Sequence, residues 1–163
     1  MNDEQFWALI DRARIGSSSS ADPQRLHNIL NPLSNEAVLA FGQKFYEKVC
    51  DLNNWRLWAA GYVIAGGMSD DGFHYFRSWI VGKGKKVFDI AMKDPDELGP
   101  FIDDTEVDNE LLEYVAVEIA KARKIEQDPR DLADRSADDD PAGEPFKEET
   151  AGAGLPKLAA LFG

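Results

Sequence analysis

Two carboxylates, one imidazole and one guanidinium group occur within residues 70–77 of the sequence. Asp70 lies four residues before His74 and Asp71 lies three residues before it, so on a helix the three side chains share one face. Carboxylate and imidazole groups at this spacing can bind a metal ion or exchange protons with a substrate. A metal centre in a helical bundle needs further ligands from other helices, and the only other histidine, His27, falls among the polar residues of a short surface helix. We therefore expect no metal ion and no cofactor.

A pocket for a small ligand is a second interpretation of the same segment. Asp71 and Arg77 beside aromatic side chains would form a cleft with apolar walls and a few polar groups, which is typical of small-molecule sites. The candidate ligand-binding residues are Asp70, Asp71, His74, Arg77, Trp58 and Trp79. The pattern identifies none of them as catalytic.

An architectural role is the third interpretation, and it is the one that the pattern favours. Ser69 and the two aspartates would satisfy backbone N–H groups that have no partner within the helix. Arg77 would pair with Asp71 or with another buried carboxylate and so fix how this helix meets its neighbours. Removing one partner of such a buried ion pair costs about 3–5 kcal/mol of stability.

The elements that would position these residues are helices, because apolar residues recur every three or four positions along most of the chain. No stretch alternates strictly between apolar and polar residues, so we expect an all-α fold: a single compact bundle of about six or seven helices. The predicted helices cover about residues 3–15, 22–31, 34–52, 55–65, 69–81, 85–93 and 108–125. Residues 55–65 are apolar nearly all round and predict the most buried helix, whereas residues 94–107 resemble a loop.

The C-terminal part of the sequence differs in composition from the rest. We predict a helical domain over residues 1–125, followed by an acidic linker and docking tail over 126–163. Residues 128–150 hold nine acidic and three basic residues. This excess of acids accounts for half of the chain's net charge of −12. Residues 155–162 are mostly apolar, and we expect them to dock on the helical body.

The composition excludes several classes of function. The net charge of −12 argues against nucleic-acid binding, which requires clustered lysines and arginines. No stretch approaches the roughly 18 apolar residues of a membrane span, so we expect no membrane association. The single cysteine, Cys50, cannot form an internal disulfide bond, and the first residues are acidic where a signal peptide is basic. We therefore expect a cytoplasmic location.

The run from Gly66 to Ile80, GGMSDDGFHYFRSWI, resembles the signature of the bacterial domain of unknown function 4240 family. Similar flanking stretches are Phe6-Trp7, Leu57-Trp58-Ala59-Ala60, Val87-Phe88, Asp94-Pro95-Asp96-Glu97-Leu98, Gly143-Glu144-Pro145-Phe146 and Leu155-Pro156-Lys157-Leu158. The resemblance implies one domain, a bacterial cytosolic setting and a docked C-terminal tail. It brings no catalytic residue, because the family has no established activity.

Two functions remain open at this level. The first is a non-catalytic intracellular module that binds or regulates a protein partner, and the acidic surface and tail favour it. The alternative is a small enzyme or a small-molecule-binding protein that uses the acidic, histidine and arginine cluster of residues 70–77. Whether the chain is an enzyme is not determined by its sequence.

Overall fold

Helices account for nearly all of the regular structure in the computed structural model, which describes residues 1–16 and 18–163. The α-helices are α1 (Asp3–Ala13), α2 (Pro23–Leu30), α3 (Asn35–Asp51), α4 (Trp55–Ala65), α5 (Asp70–Gly82), α6 (Lys85–Lys93), α7 (Glu110–Ala122) and α8 (Pro156–Phe162). Three 3₁₀ helices span Pro95–Phe101, Pro129–Leu132 and Glu148–Gly154. Within the described ranges the only β-type pairing is an isolated bridge between Asn54 and Ala142.

Side-chain caps begin each of the first five α-helices. In each case an oxygen of the preceding residue accepts a hydrogen bond from the backbone N–H of the third helical residue. These capping residues are Asn2, Asp22, Ser34, Asn54 and Ser69. A cap of this kind stabilises a helix by about 1 kcal/mol, so the sequence itself fixes where these helices begin.

The predicted all-α, compact fold is confirmed, with one α-helix more than the seven predicted ranges. The additional helix is α8, which lies in the apolar C-terminal stretch. The prediction that residues 94–107 form only a loop is wrong in part, because they contain the 3₁₀ helix Pro95–Phe101.

The most buried helix is α5 and not α4, so that prediction is wrong. Eight residues of α5 are buried, against five residues of α4. Two of the buried residues in α5 are polar, Arg77 and Ser78, and both donate hydrogen bonds to backbone carbonyl oxygens. A count of apolar residues therefore underestimates how many residues of α5 are buried, because polar groups that have hydrogen-bond partners are also buried.

The C-terminal end of the chain packs on the helical body. Helix α8 lies against α4 and the 3₁₀ helix Pro95–Phe101, and Leu155 and Leu158 are buried there. The buried carboxylate of Asp96 accepts hydrogen bonds from the backbone N–H groups of Lys157 and Leu158, at 3.2 and 2.9 Å. A side chain from a distant element thus caps the first turn of α8. The division of the chain into 1–125 and 126–163 stays a prediction.

No helix in residues 1–16 and 18–163 combines the length and the apolar character that crossing a membrane requires.

We predict that Asp96→Ala loosens α8 without unfolding the bundle. The substitution leaves two N–H groups at the start of α8 without their acceptor, which costs about 1–2 kcal/mol. Urea denaturation measures this loss, and limited proteolysis should cut the chain earlier near residue 155. The matched control is Asp89→Ala, which removes an exposed acid of α6 that pairs with Lys85. Equal stability of the two variants would contradict the capping role.

Candidate functional site

Arg77 is buried in the centre of the structure, and only 3% of its surface is exposed. Its guanidinium group donates hydrogen bonds to the backbone oxygens of Phe73 at 3.4 Å, Val49 at 3.3 Å and Ala137 at 3.1 Å. Among the described residues no carboxylate lies within ion-pair distance of it, so the predicted pairing of Arg77 with Asp71 or another buried carboxylate is wrong. Burial lowers the pKa of Arg77 to about 10, which still leaves the group charged at neutral pH.

Residues 129–142, which we call the strap, pack on α3, contact Arg77 of α5 and pair with Asn54 just before α4. Ala137 is the buried centre of the strap: its N–H donates to the hydroxyl of Tyr46 at 2.9 Å, and its carbonyl accepts from Arg77. The Asn53 side chain donates to the carbonyl of Asp139 at 2.8 Å. Only Pro129 and Ala137 of the strap are buried, so polar contacts to the helices hold most of it in place.

Pro129 anchors the first end of the strap in a notch of α3. A Cβ atom added to Gly42 would lie 2.7 Å from the Cβ atom of Pro129 and 2.9 Å from that of Ala116. The approach of the strap to α3 and α7 at this point therefore depends on the absence of a side chain at Gly42.

The imidazole of His74 lies against a buried carboxylate from another helix. His74 Nε2 is 2.9 and 3.1 Å from the two carboxylate oxygens of Glu113 in α7. The Glu113 side chain is 3% exposed and the His74 side chain is 21% exposed. Because an ionised carboxylate only accepts hydrogen bonds, this geometry places a proton on Nε2. The other ring nitrogen, Nδ1, has no hydrogen-bond partner in the part of the chain that the structure describes.

The His74–Glu113 pair lines a cleft of about 500 Å³ between α5, α7 and the strap. We call it the histidine cleft. Its other lining residues are Tyr46, Asp71, Tyr75, Tyr114, Arg130, Asp131, Ala133, Arg135, Ser136 and Asp138. Most of these side chains carry a hydroxyl group or a charge, so the cleft is polar and differs from the apolar-walled pocket that the sequence suggested.

Both arginines of the histidine cleft are held by carboxylates. Arg130 donates to both carboxylate oxygens of Asp128, at 3.1 and 2.8 Å, and its guanidinium carbon lies 5.5 Å from the centre of the Tyr114 ring. Arg135 lies 2.5 Å from the carboxylate of Asp51 in α3. These contacts fix the positions of two donors at the strap side of the cleft.

A second cleft, of about 390 Å³, lies on the other side of the strap. We call it the tryptophan cleft; it is lined by Asn53, Trp55, Trp58, Asp70, Phe73, Arg77, Ala137, Asp138, Asp139, Asp140 and Pro141. Trp58 stacks between Trp55 and Phe73, with ring centres 5.1 and 4.9 Å apart and planes within 9° of parallel. The Trp58 Nε1–H donates to the carbonyl of Met68 at 2.9 Å and so fixes the stack.

The six candidate ligand-binding residues do not form one site. Asp71 and His74 line the histidine cleft, whereas Asp70, Trp58 and Arg77 line the tryptophan cleft. Trp79 lines neither: it is buried against Phe76, with the amine of Lys83 5.0 Å from its ring centre.

Sequence reasoning missed Glu113 and the strap residues Arg130 and Arg135. Glu113 had a signal, because it is a carboxylate next to the apolar stripe of the last long helix. The strap residues had no such signal in the sequence, since the composition of this segment indicates only a solvated acidic stretch. Among the described residues no group of three histidine, cysteine, aspartate or glutamate side chains has an arrangement that could hold a metal ion.

Residues 1–122 match the model of a family described as proteins of unknown function, DUF4240, and the chain therefore belongs to this family. The match confirms the resemblance seen in the sequence. Comparison with curated proteins and with solved structures found no match. The matched residues include both His74 and Glu113, whereas the strap follows the matched part of the chain.

We predict that Glu110→Gln lowers the pKa of Tyr75 from about 12 toward the ordinary value near 10. A hydrogen bond to Glu110, burial and the charge of that carboxylate raise the pKa of Tyr75, because each disfavours the phenolate. The folded pKa exceeds the unfolded one, so this contribution to stability is complete below pH 10 and is lost as the pH rises toward 12.

The difference between the ultraviolet absorbance titrations of the two proteins, each of which sums over the same four tyrosines, reports the change in the pKa of Tyr75. The matched control is Glu118→Gln on the same helix, where the carboxylate is exposed and faces Lys121. A titration curve that Glu110→Gln leaves unchanged would show that Glu110 does not set the proton affinity of this side of the histidine cleft.

Proposed function

We propose that the chain binds a small polar molecule in the histidine cleft. The observation that carries this proposal is the His74–Glu113 pair, in which a carboxylate that is 3% exposed orients an imidazole at a cleft of about 500 Å³. Sites of roughly 300–1,000 Å³ that combine a few fixed polar groups are the usual size for small ligands.

Glu113 orients the imidazole of His74 in the way that a carboxylate orients a general base. A carboxylate that accepts from Nε2–H fixes the tautomer and leaves the lone pair of Nδ1 for another partner. A ligand can therefore donate a hydrogen bond to Nδ1 or exchange a proton with it. Proton transfer is the chemistry that this arrangement supplies if the bound molecule reacts.

The other groups of the histidine cleft define the chemistry of the ligand. Tyr75 and Tyr114 keep their hydroxyl protons, because burial and nearby glutamates raise the pKa of both. Arg130 and Arg135 are fixed donors, whereas Asp71 and Asp131 are acceptors with no cation within 4 Å in the described chain. A ligand that fits this lining carries both donors and acceptors, and a purely apolar molecule does not.

A non-catalytic module for a protein partner is the second candidate function. The net charge of −12 and the exposed acidic residues of the strap support it, since such a surface attracts a basic partner. A bacterial, cytoplasmic setting is part of both proposals; the single cysteine, which forms no internal disulfide bond, is compatible with the cytoplasmic part.

We predict that His74→Gln abolishes most ligand binding in the histidine cleft. The probe is a panel of amino acids, amines, hydroxy acids and sugars, screened by saturation-transfer NMR against the folded chain. A bound compound should perturb the ring signals of Tyr75 and Tyr114. Loss of the hydrogen bond that Nδ1 of His74 accepts from the ligand lowers affinity by about tenfold or more.

Two further variants complete the test. Glu113→Gln should weaken the same compound, because an amide no longer selects the Nε2–H tautomer. His27→Gln, which changes the other histidine, should bind like the original chain. A compound that binds His74→Gln as tightly as the original chain, or a panel without any binder, would contradict the proposal.

A further inference from the structure

We propose that the tryptophan cleft is a docking site for an arginine side chain of a basic partner protein. This inference gives the second candidate function a surface and a partner class. It stands independently of the histidine cleft, since the two clefts share only Asp138 as a lining residue.

The aromatic stack of this cleft already binds one guanidinium group at its inner end. The guanidinium carbon of Arg77 lies 4.5 Å from the centre of the Phe73 ring, and Trp58 and Trp55 continue the stack away from it. Trp55 ends this series of stacked rings; it is half-buried and lines the cleft. A planar guanidinium group stacks favourably on an indole ring, so the exposed part of Trp55 suits a second arginine.

The charges around the stack point to the same occupant. Asp70, Asp138, Asp139 and Asp140 line the tryptophan cleft, and the buried guanidinium of Arg77 is the one cationic side chain that lines it with them. No cation of the described chain lies within 4 Å of any of these four carboxylates. An incoming cation would thus meet a net negative charge, four carboxylates against one guanidinium group, beside an aromatic surface.

Hydrogen bonds hold two of the four carboxylates, those of Asp139 and Asp70, in place without the partner, which favours binding by a partly preformed site. The carboxylate of Asp139 accepts a hydrogen bond from the N–H of Ser136 at 3.1 Å, and its carbonyl accepts from Asn53. Asp70 accepts from the N–H of Asp71 at 2.9 Å at the start of α5. Binding of the partner therefore costs little conformational entropy on this side of the interface, because these side chains are already ordered.

The test uses a capped peptide with two adjacent arginines and follows tryptophan fluorescence and binding heat at low salt. Peptides with two lysines or two citrullines are the comparisons; citrulline has nearly the shape of arginine without its charge. We expect the arginine peptide to bind most tightly, the citrulline peptide not to bind, and the affinity to fall as salt rises.

Variants locate the binding. Asp139→Asn/Asp140→Asn should weaken the arginine peptide by about fivefold, and Trp55→Leu should weaken it by about tenfold. The charge-matched control, Glu106→Gln/Glu126→Gln, changes two exposed acids outside the cleft and should bind as the original chain does. Circular dichroism checks that each variant is folded.

His74→Gln separates this inference from the small-molecule proposal, because it should leave peptide binding unchanged. The inference is overturned if the arginine and citrulline peptides bind equally, if the arginine peptide does not bind at low salt, or if the charge-matched control loses as much affinity as the strap variant.

Discussion

The guanidinium group of Arg77 is the interaction on which the arrangement of both clefts depends. It joins the last turn of α3, the first half of α5 and the strap through three backbone carbonyls, and the Phe73 ring covers one of its faces. A charge buried without a carboxylate is costly unless dipoles surround it, and the carbonyls at the end of α3 carry the negative end of that helix's dipole. Breaking these contacts would leave a buried charge and buried carbonyls unsatisfied at once.

The position of the strap decides what the chain can bind. Because Arg77 and Tyr46 satisfy both backbone groups of Ala137, the strap forms a wall with the histidine cleft on one side and the tryptophan cleft on the other. The strap supplies two arginines and two aspartates to the histidine cleft, and three aspartates to the tryptophan cleft. The helices contribute the oriented imidazole of His74 to the histidine cleft and the aromatic stack to the tryptophan cleft.

The sequence predicted the features of the fold that depend on neighbouring residues. It did not predict contacts that depend on backbone groups far apart in the chain. Capping residues such as Ser69 predicted helix starts, and the apolar end of the chain predicted the docking that α8 shows. The partners of Arg77 could not be predicted. They are backbone carbonyls, which every residue has, so no residue type in the sequence marks them. The sequence treated residues 70–77 as one cluster, whereas α5 turns Asp71 and His74 toward one cleft and Asp70 and Arg77 toward the other. Glu113 was detectable in principle as a carboxylate on an inward-facing helix.

Amide hydrogen exchange in Arg77→Lys tests the central claim most directly. A lysine keeps the positive charge but cannot reach three carbonyls with one planar group, so the strap should lose its anchor. The account predicts faster exchange of the Ala137 and Ala142 amides, which the strap contacts protect, while the amides inside α7 keep their protection. Unchanged exchange at Ala137 and Ala142 would contradict it, and so would equal loss of protection in the strap and in α7.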